Sequence, residues 1–522
     1  MKRGTAGKAA VSGHRSMRKR KTVIIAAAVA FVIVIGLAGC YYVLNVLMQE
    51  NKYIDWWAKL PEDAEVDKTW GNLYTVCEGD GFYARISQER SPYVDVQEYI
   101  DYYFDRFTEN ETFRRENGLE LLRDETKGKK HVLSVRVSDM PEGYADTYTY
   151  VTVRSNTLYF YRAMLKYDSR SNAEASQKAV DTFVSSFRIK PGIKDYGMST
   201  DFYPVVPDSW SEETAAAYEK LTSPDGFWLG VFSPEAETLV ERLGHEFPVI
   251  LKYFHLNESF PLEEMQALWN EGKLAELTFQ LTVNNNEDVY ARSPVIDVLA
   301  GKYDDALKAI ASGMKEFGHP FMFRLNNEMN SDWTSYSGII TLSDPDIYIA
   351  AWRYIYELFE DEGVDNAIWI FNPNDNNYPP ARWNNFLAYY PGNGYVQLLG
   401  VTGYNTGTYY HDVTGEIWRS FPEIYDAIET EYMPYFSKFS WIITEYASSS
   451  YGGDKPAWIR EMFDSFKDYP NIKVAVWFDA ADYDYRPGKE GIAGRPYWLA
   501  ETEETLEAYK EGMKDAESRF FD

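Results

Sequence analysis

From about residue 225 onward the sequence alternates short apolar runs with amphipathic segments eight times over, and few architectures accept such a series. The runs 227–232, 249–254, 277–283, 321–325, 367–371, 396–401, 441–444 and 474–478 read as strands covered on both faces. Between them, 236–243, 261–271, 303–317, 346–362, 422–435 and 457–466 carry apolar residues at helical spacing. The segment 346–362 puts Ile349, Trp352, Ile355, Leu358 and Phe359 on one side. The expected fold over 225–522 is an α/β (β/α)8 TIM barrel, in which chemistry sits just past the C-terminal strand ends.

Those ends are informative. The fourth run is apolar apart from Arg324 and breaks abruptly into Asn326-Asn327-Glu328, followed by Met329, Asn330 and Trp333. A carboxylate between amides and beside an indole suits a ligand with both a polar and an apolar face, as a sugar has. The seventh run ends Thr444-Glu445-Tyr446, the sixth Gly403-Tyr404-Asn405 and the eighth Trp477-Phe478-Asp479. Carboxylates at the ends of strands four and seven would face each other across one barrel mouth. Retaining glycoside hydrolysis needs such a pair about 5–5.5 Å apart, one protonating the leaving oxygen and the other attacking the anomeric carbon. The proton donor of such a pair needs a raised pKa, while Arg324 and Tyr404 are donors of the kind that hold a carboxylate in place. For Trp477, core packing is a serious rival to any role at the site.

Residues from about 225 to 500 resemble a glycoside hydrolase family 26 barrel of clan A. The resemblance is carried, in the family's order, by five blocks: AGKYDDALKAIASGMKEFGHPFMFRLNNEMNSDW, IAAWRYIYELFEDEGVDNAIWIFNPN, YYPGNGYVQLLGVTGYN, WIITEYAS and VAVWFDA. It implies Glu328 as general acid/base and Glu445 as nucleophile, with Arg324 and Asn327 orienting carboxylates and sugar hydroxyls. It further implies Trp333 as the floor of a sugar subsite, Tyr404 as a hydrogen-bond partner of the nucleophile and Trp477 as lining of the cleavage subsite. The implied substrate is a β-linked polysaccharide, with β-1,4-mannan first, then β-1,3-xylan or mixed-linkage β-glucan. A weakly catalytic glycan-binding surface protein is the alternative. Two departures bear on the sugar rather than the chemistry. Asn327 stands where mannanases of the family usually carry His, and the third strand runs into Leu281-Thr282-Val283-Asn284 without the His-bearing segment common there.

Upstream, residues 1–21 carry eight Lys or Arg and no acid, and 22–48 are almost wholly apolar. That run is long enough to span a bilayer, and the basic flank places the remainder outside. A signal anchor is expected; the alternative is a lipoprotein signal, because Leu37-Ala38-Gly39-Cys40 resembles a lipobox with Cys40 as the lipidated residue. Either places the chain at the cell membrane with its bulk outside. Residues 50–192 read as a separate small α+β domain, strands then a closing helix. Its YFYRAMLKYDS and AVDTFVSSFRI segments are faintly similar to PsbP/Mog1-like domains and bring no catalytic residue. A linker is expected over 193–224. The net charge of -28 argues against a nucleic-acid partner. With two Cys and six His at no metal-ligand spacing, no metal or other cofactor is expected.

Overall fold

The computed structural model describes residues 54–91, 95–155, 158–193, 197–283 and 292–521. The basic tail 1–21, the apolar run 22–48 and Cys40 lie outside them. Among the described residues no helix is long and apolar enough to cross a membrane.

Strands β1 (Ile54–Trp57) and β9 (Arg188–Ile193) pair in a two-stranded sheet. A second sheet is antiparallel and seven-stranded: β2 (Glu65–Asp67), β3 (Thr75–Gly79), β4 (Phe82–Arg90), β5 (Leu119–Lys127), β6 (Lys130–Val137), β7 (Thr147–Arg154) and β8 (Tyr159–Tyr167), in the order β2-β3-β4-β8-β7-β6-β5. The helix Val96–Thr108 is capped by Asp95 and buries Tyr99, Ile100, Tyr103, Phe104 and Phe107 along one stripe. On the same face the central strands carry Arg85, Ser87, Glu89 and Arg162, all buried.

The barrel is closed by eight parallel strands: β10 (Trp228–Phe232), β11 (Val249–His255), β12 (Leu274–Gln280), β13 (Phe321–Leu325), β14 (Ala367–Phe371), β15 (Leu398–Asn405), β16 (Trp441–Ser448) and β17 (Ile472–Phe478). Alternate residues fill the interior, among them Val249, Leu251, Met322, Ile370, Ile442, Val474 and Val476. The intervening ones, such as Phe323, Trp369, Ile443 and Trp477, pack in the outer layer. At Gly400 a methyl group would come within 2.8 Å of Ile370 and Thr444, so the barrel wall has no room for a side chain there. The stretch read as a linker contains a helix, Glu212–Leu221, whose Tyr218 and Leu221 pack against the barrel interior.

The charged sheet face is buried because it docks on barrel loops. Glu89 accepts the backbone N–H of Arg382 (2.8 Å) and of Trp383 (3.2 Å). Arg162 donates to the Ser343 carbonyl at 3.0 Å, and Tyr150 donates to that of Leu342. Lys166 Nζ lies 2.7 Å from Asp344 and 2.6 Å from Asp346, which also pairs with Arg85. Removing one partner of such a group strands a charge away from water. Lys166→Met is therefore expected to lower unfolding stability by about 3–5 kcal/mol, measured as a lower urea midpoint.

Candidate active site

The fourth strand is buried throughout, and the chain must turn sharply to bring a carboxylate into the mouth. It does so with two non-glycine residues in the left-handed region, Asn326 at φ +57° and Glu328 at φ +55°. Neighbouring strand ends brace the turn. Asn326 donates its N–H to the Phe279 carbonyl and accepts the Leu281 N–H on its side chain, both at 2.8 Å, while the Glu328 N–H reaches the Asn372 carbonyl at 2.9 Å. Backbone strain of order 1–3 kcal/mol persists only where the surroundings dictate it.

Three donors meet the Glu328 carboxyl group: Asn374 Nδ2 at 2.5 Å, Trp333 Nε1 at 3.2 Å and Asn327 Nδ2 at 3.3 Å. Asn327 is itself fixed, its Oδ1 accepting from Gln280 (2.7 Å) and Tyr336 (2.8 Å). Burial, reinforced by the negative charge of Glu445, pushes Glu328 up to about 7 against the lowering pull of these donors. It is the environment of a carboxyl group that can keep a proton near neutrality.

Glu445 reaches the mouth through a register slip. Ile442 faces the barrel interior and Ile443 the outer layer, so strict alternation would send Glu445 outward. Pairing with β15 jumps from Val401–Ile443 to Thr402–Glu445, and this bulge turns Glu445 inward while Tyr446 packs outside. There Arg324 Nη1 lies 2.7 Å from Glu445 Oε1, and the Tyr404 hydroxyl donates to Oε2 at 2.7 Å. Arg324, fully buried, also reaches Thr278 Oγ1 (2.6 Å) and Asn372 Oδ1 (2.8 Å). Its Nε is 3.4 Å from Glu276, a third carboxyl group that burial lifts to about 8 despite the guanidinium.

Six of the seven residues expected at the site converge: Arg324, Asn327, Glu328, Trp333, Tyr404 and Glu445. Trp333 is 39% exposed and lies 5.1 Å from the ring of Tyr378. Trp477 does not join them. It follows the inward Val476, so it points into the outer layer, where its indole donates to the Tyr497 carbonyl at 2.9 Å and packs edge-on against Tyr446 and Tyr509. The mouth receives the next residue, Phe478, edge-on to Tyr404 at 5.9 Å. Asn374, Tyr253 and Glu276 were not anticipated. Asn374 stands just past the fifth strand, a position that marks it in the sequence. Tyr253, whose ring lies 5.4 Å from the Arg324 guanidinium, occupies an inward position near the end of the second strand.

Residues 264–433 match the family model described as Glycosyl hydrolase family 26, a span that takes in Glu328 and Tyr404 and stops before Glu445. Over 302 residues, 55% of this chain, the sequence is 28% identical to Endoglucanase H of Acetivibrio thermocellus, covering 30% of that protein. Over 164 residues, 27% of this chain, it is 27% identical to a mannan endo-1,4-β-mannosidase of Bacillus subtilis, covering 43% of it. The chain thus spans less than half the length of either relative. Among solved structures, a Cellulomonas fimi endo-β-1,4-mannanase double mutant aligns with a TM-score of 0.44 and 15% identity, over 60% of this chain and 77% of that one.

Proposed function

From a barrel that carries a glycosyl hydrolase family 26 domain, we propose that the chain is a retaining endo-glycosidase of β-linked polysaccharide, tethered outside the cell membrane. The observation that carries this reading is one mouth holding two unlike carboxyl groups. Glu328 is lifted to about 7 by burial, and Glu445 is held by Arg324 and Tyr404. Glu445 attacks the anomeric carbon as the bond to the departing sugar breaks, and the Glu328 proton passes to the leaving oxygen. Water then attacks the glycosyl ester, Glu328 takes its proton, and Glu445 departs as a carboxylate. Two inversions return the β configuration. Trp333 offers its face to a sugar ring on the leaving-group side, beside the acid.

β-1,4-Mannan is the first substrate, since one relative is named for it. A β-glucan is the second, on the name of the other, and Asn327 in place of the family's usual His is consistent with altered contacts. β-1,3-Xylan is third. The tether rests on the apolar run 22–48 and its basic flank. Intact mass of the membrane-fraction protein separates an uncleaved chain from one beginning at a lipidated Cys40.

The test is reducing-sugar release by the full chain on glucomannan, galactomannan, barley β-glucan and β-1,3-xylan, with NMR of the first product. Turnover yielding the β anomer supports the reading. An α first product overturns the mechanism. Binding without turnover on all four overturns the enzyme in favour of a glycan-binding protein.

A further inference from the structure

We propose that the antiparallel-sheet domain is a working part of the active site: through Tyr102 and Asp332 it fixes Trp333, and Trp333 fixes Glu328. The inference rests on the glycosidase reading above. Between β13 and the helix Pro345–Asp361, the chain 329–344 forms no regular element, yet nearly all of it is buried. A long irregular segment stays in one conformation only where its surroundings hold it.

Two sets of contacts do so. On the barrel side, Asn330 Nδ2 donates to the Asn374 carbonyl at 3.0 Å, and the Gly338 N–H returns to the Met329 carbonyl at 3.0 Å. On the sheet side, Arg162 and Tyr150 grip the carbonyls of Ser343 and Leu342, both in the left-handed region at φ +50° and +61°. The segment's far end is thereby anchored. At its near end the Tyr102 hydroxyl of the sheet domain donates to Asp332 Oδ2.

Asp332 immediately precedes Trp333, the exposed residue whose Nε1–H reaches Glu328 Oε2 at 3.2 Å. An indole at the surface has rotational freedom, and a general acid works only when held within reach of the leaving oxygen. The Tyr102–Asp332 bond removes that freedom at the base of the side chain. Tyr102 and Asp332 are thus positioning residues that never touch the sugar.

The variants are Tyr102→Phe, Asp332→Ala and their combination in the full chain. Each is assayed on the panel polysaccharide that the wild type cleaves and on a dinitrophenyl β-glycoside of the same sugar. Dinitrophenolate leaves without a proton, so kcat/KM on the aryl glycoside, which reports the first step alone, is insensitive to where Glu328 sits. On the polysaccharide, kcat/KM is expected to fall about tenfold, part of the roughly 10²–10⁴-fold that general acid catalysis supplies. The aryl glycoside is expected to change less than about twofold, since its departure draws on none of that acid term. The basic limb of the polysaccharide pH profile should move to higher pH, because Glu328 loses an N–H donor. The double variant should lose no more than the worse single one. Equal losses on both substrates with an unmoved limb, or no loss on either, overturn the proposal while leaving the glycosidase reading intact. A wild type inactive on both substrates overturns that reading and this one with it.

Discussion

Glu445→Ala is expected to abolish polysaccharide hydrolysis, with turnover falling on the order of 10⁴- to 10⁶-fold, as when a covalent nucleophile is removed elsewhere. The fold should hold, because Arg324 keeps Thr278 and Asn372 as partners. The informative readout is stereochemical. Removing the side chain opens space on the face that Glu445 attacks, so added azide should enter there and yield an α-glycosyl azide from an activated β-glycoside. A β-glycosyl azide, or undiminished hydrolysis without azide, would show that another group is the nucleophile.

Glu328→Ala should behave differently. Loss of the proton donor is expected to reduce polysaccharide cleavage by about 10²–10⁴-fold while sparing the first step on a dinitrophenyl glycoside. Azide should then attack the accumulated glycosyl ester from the side Glu328 vacates and give the β product. In the wild type, the acid must be protonated and burial holds it at about 7. Polysaccharide kcat/KM should therefore decline as pH rises through 7, tenfold per unit well above it. Stability runs the same way. A carboxyl group lifted from its ordinary 4.5 to about 7 favours the folded state fully below 4.5, and loses that contribution as pH rises through 7. Glu328→Gln, which cannot ionise, should be more stable than wild type above pH 7 by on the order of 1–3 kcal/mol, read from denaturant midpoints at pH 8.

The barrel was legible because its strands are covered on both faces and so appear as unbroken apolar runs. The third strand starts earlier than its apolar run: Leu281-Thr282-Val283 continues the hydrophobic pattern, yet β12 ends at Gln280 and Val283 is exposed. The single helix expected at 422–435 is interrupted by a wider turn over Ile428–Tyr432. Parity decided the site. Glu445 reaches the mouth only because a bulge cancels the alternation that points it outward, and nothing in Trp441–Ser448 announces a bulge. Trp477 obeys alternation and is lost to the outer layer. The strand β5 went unread because LELLRDETK is mostly exposed and lacks a period-two stripe. Arg85, Glu89, Arg162 and Lys166 look solvent-facing in the sequence. Their partners stand far along the chain, at Asp346, Arg382, Ser343 and Asp344, and no local pattern connects them.

The docking of that charged face also governs how such a protein can be cut, shuffled or inherited. A piece beginning at residue 225 would expose the Ser343 carbonyl and the Asp344 and Asp346 carboxylates without the Arg and Lys side chains that answer them. Grafting a foreign barrel onto this sheet would strand Arg162, Glu89 and Lys166 in turn. The smallest unit transferable with this seam intact therefore begins in the antiparallel sheet rather than at the first barrel strand. A substitution in the segment 329–344 that alters its seam contacts would need a matching one in β7 or β8, whose Tyr150, Arg162 and Lys166 answer Leu342, Ser343 and Asp344.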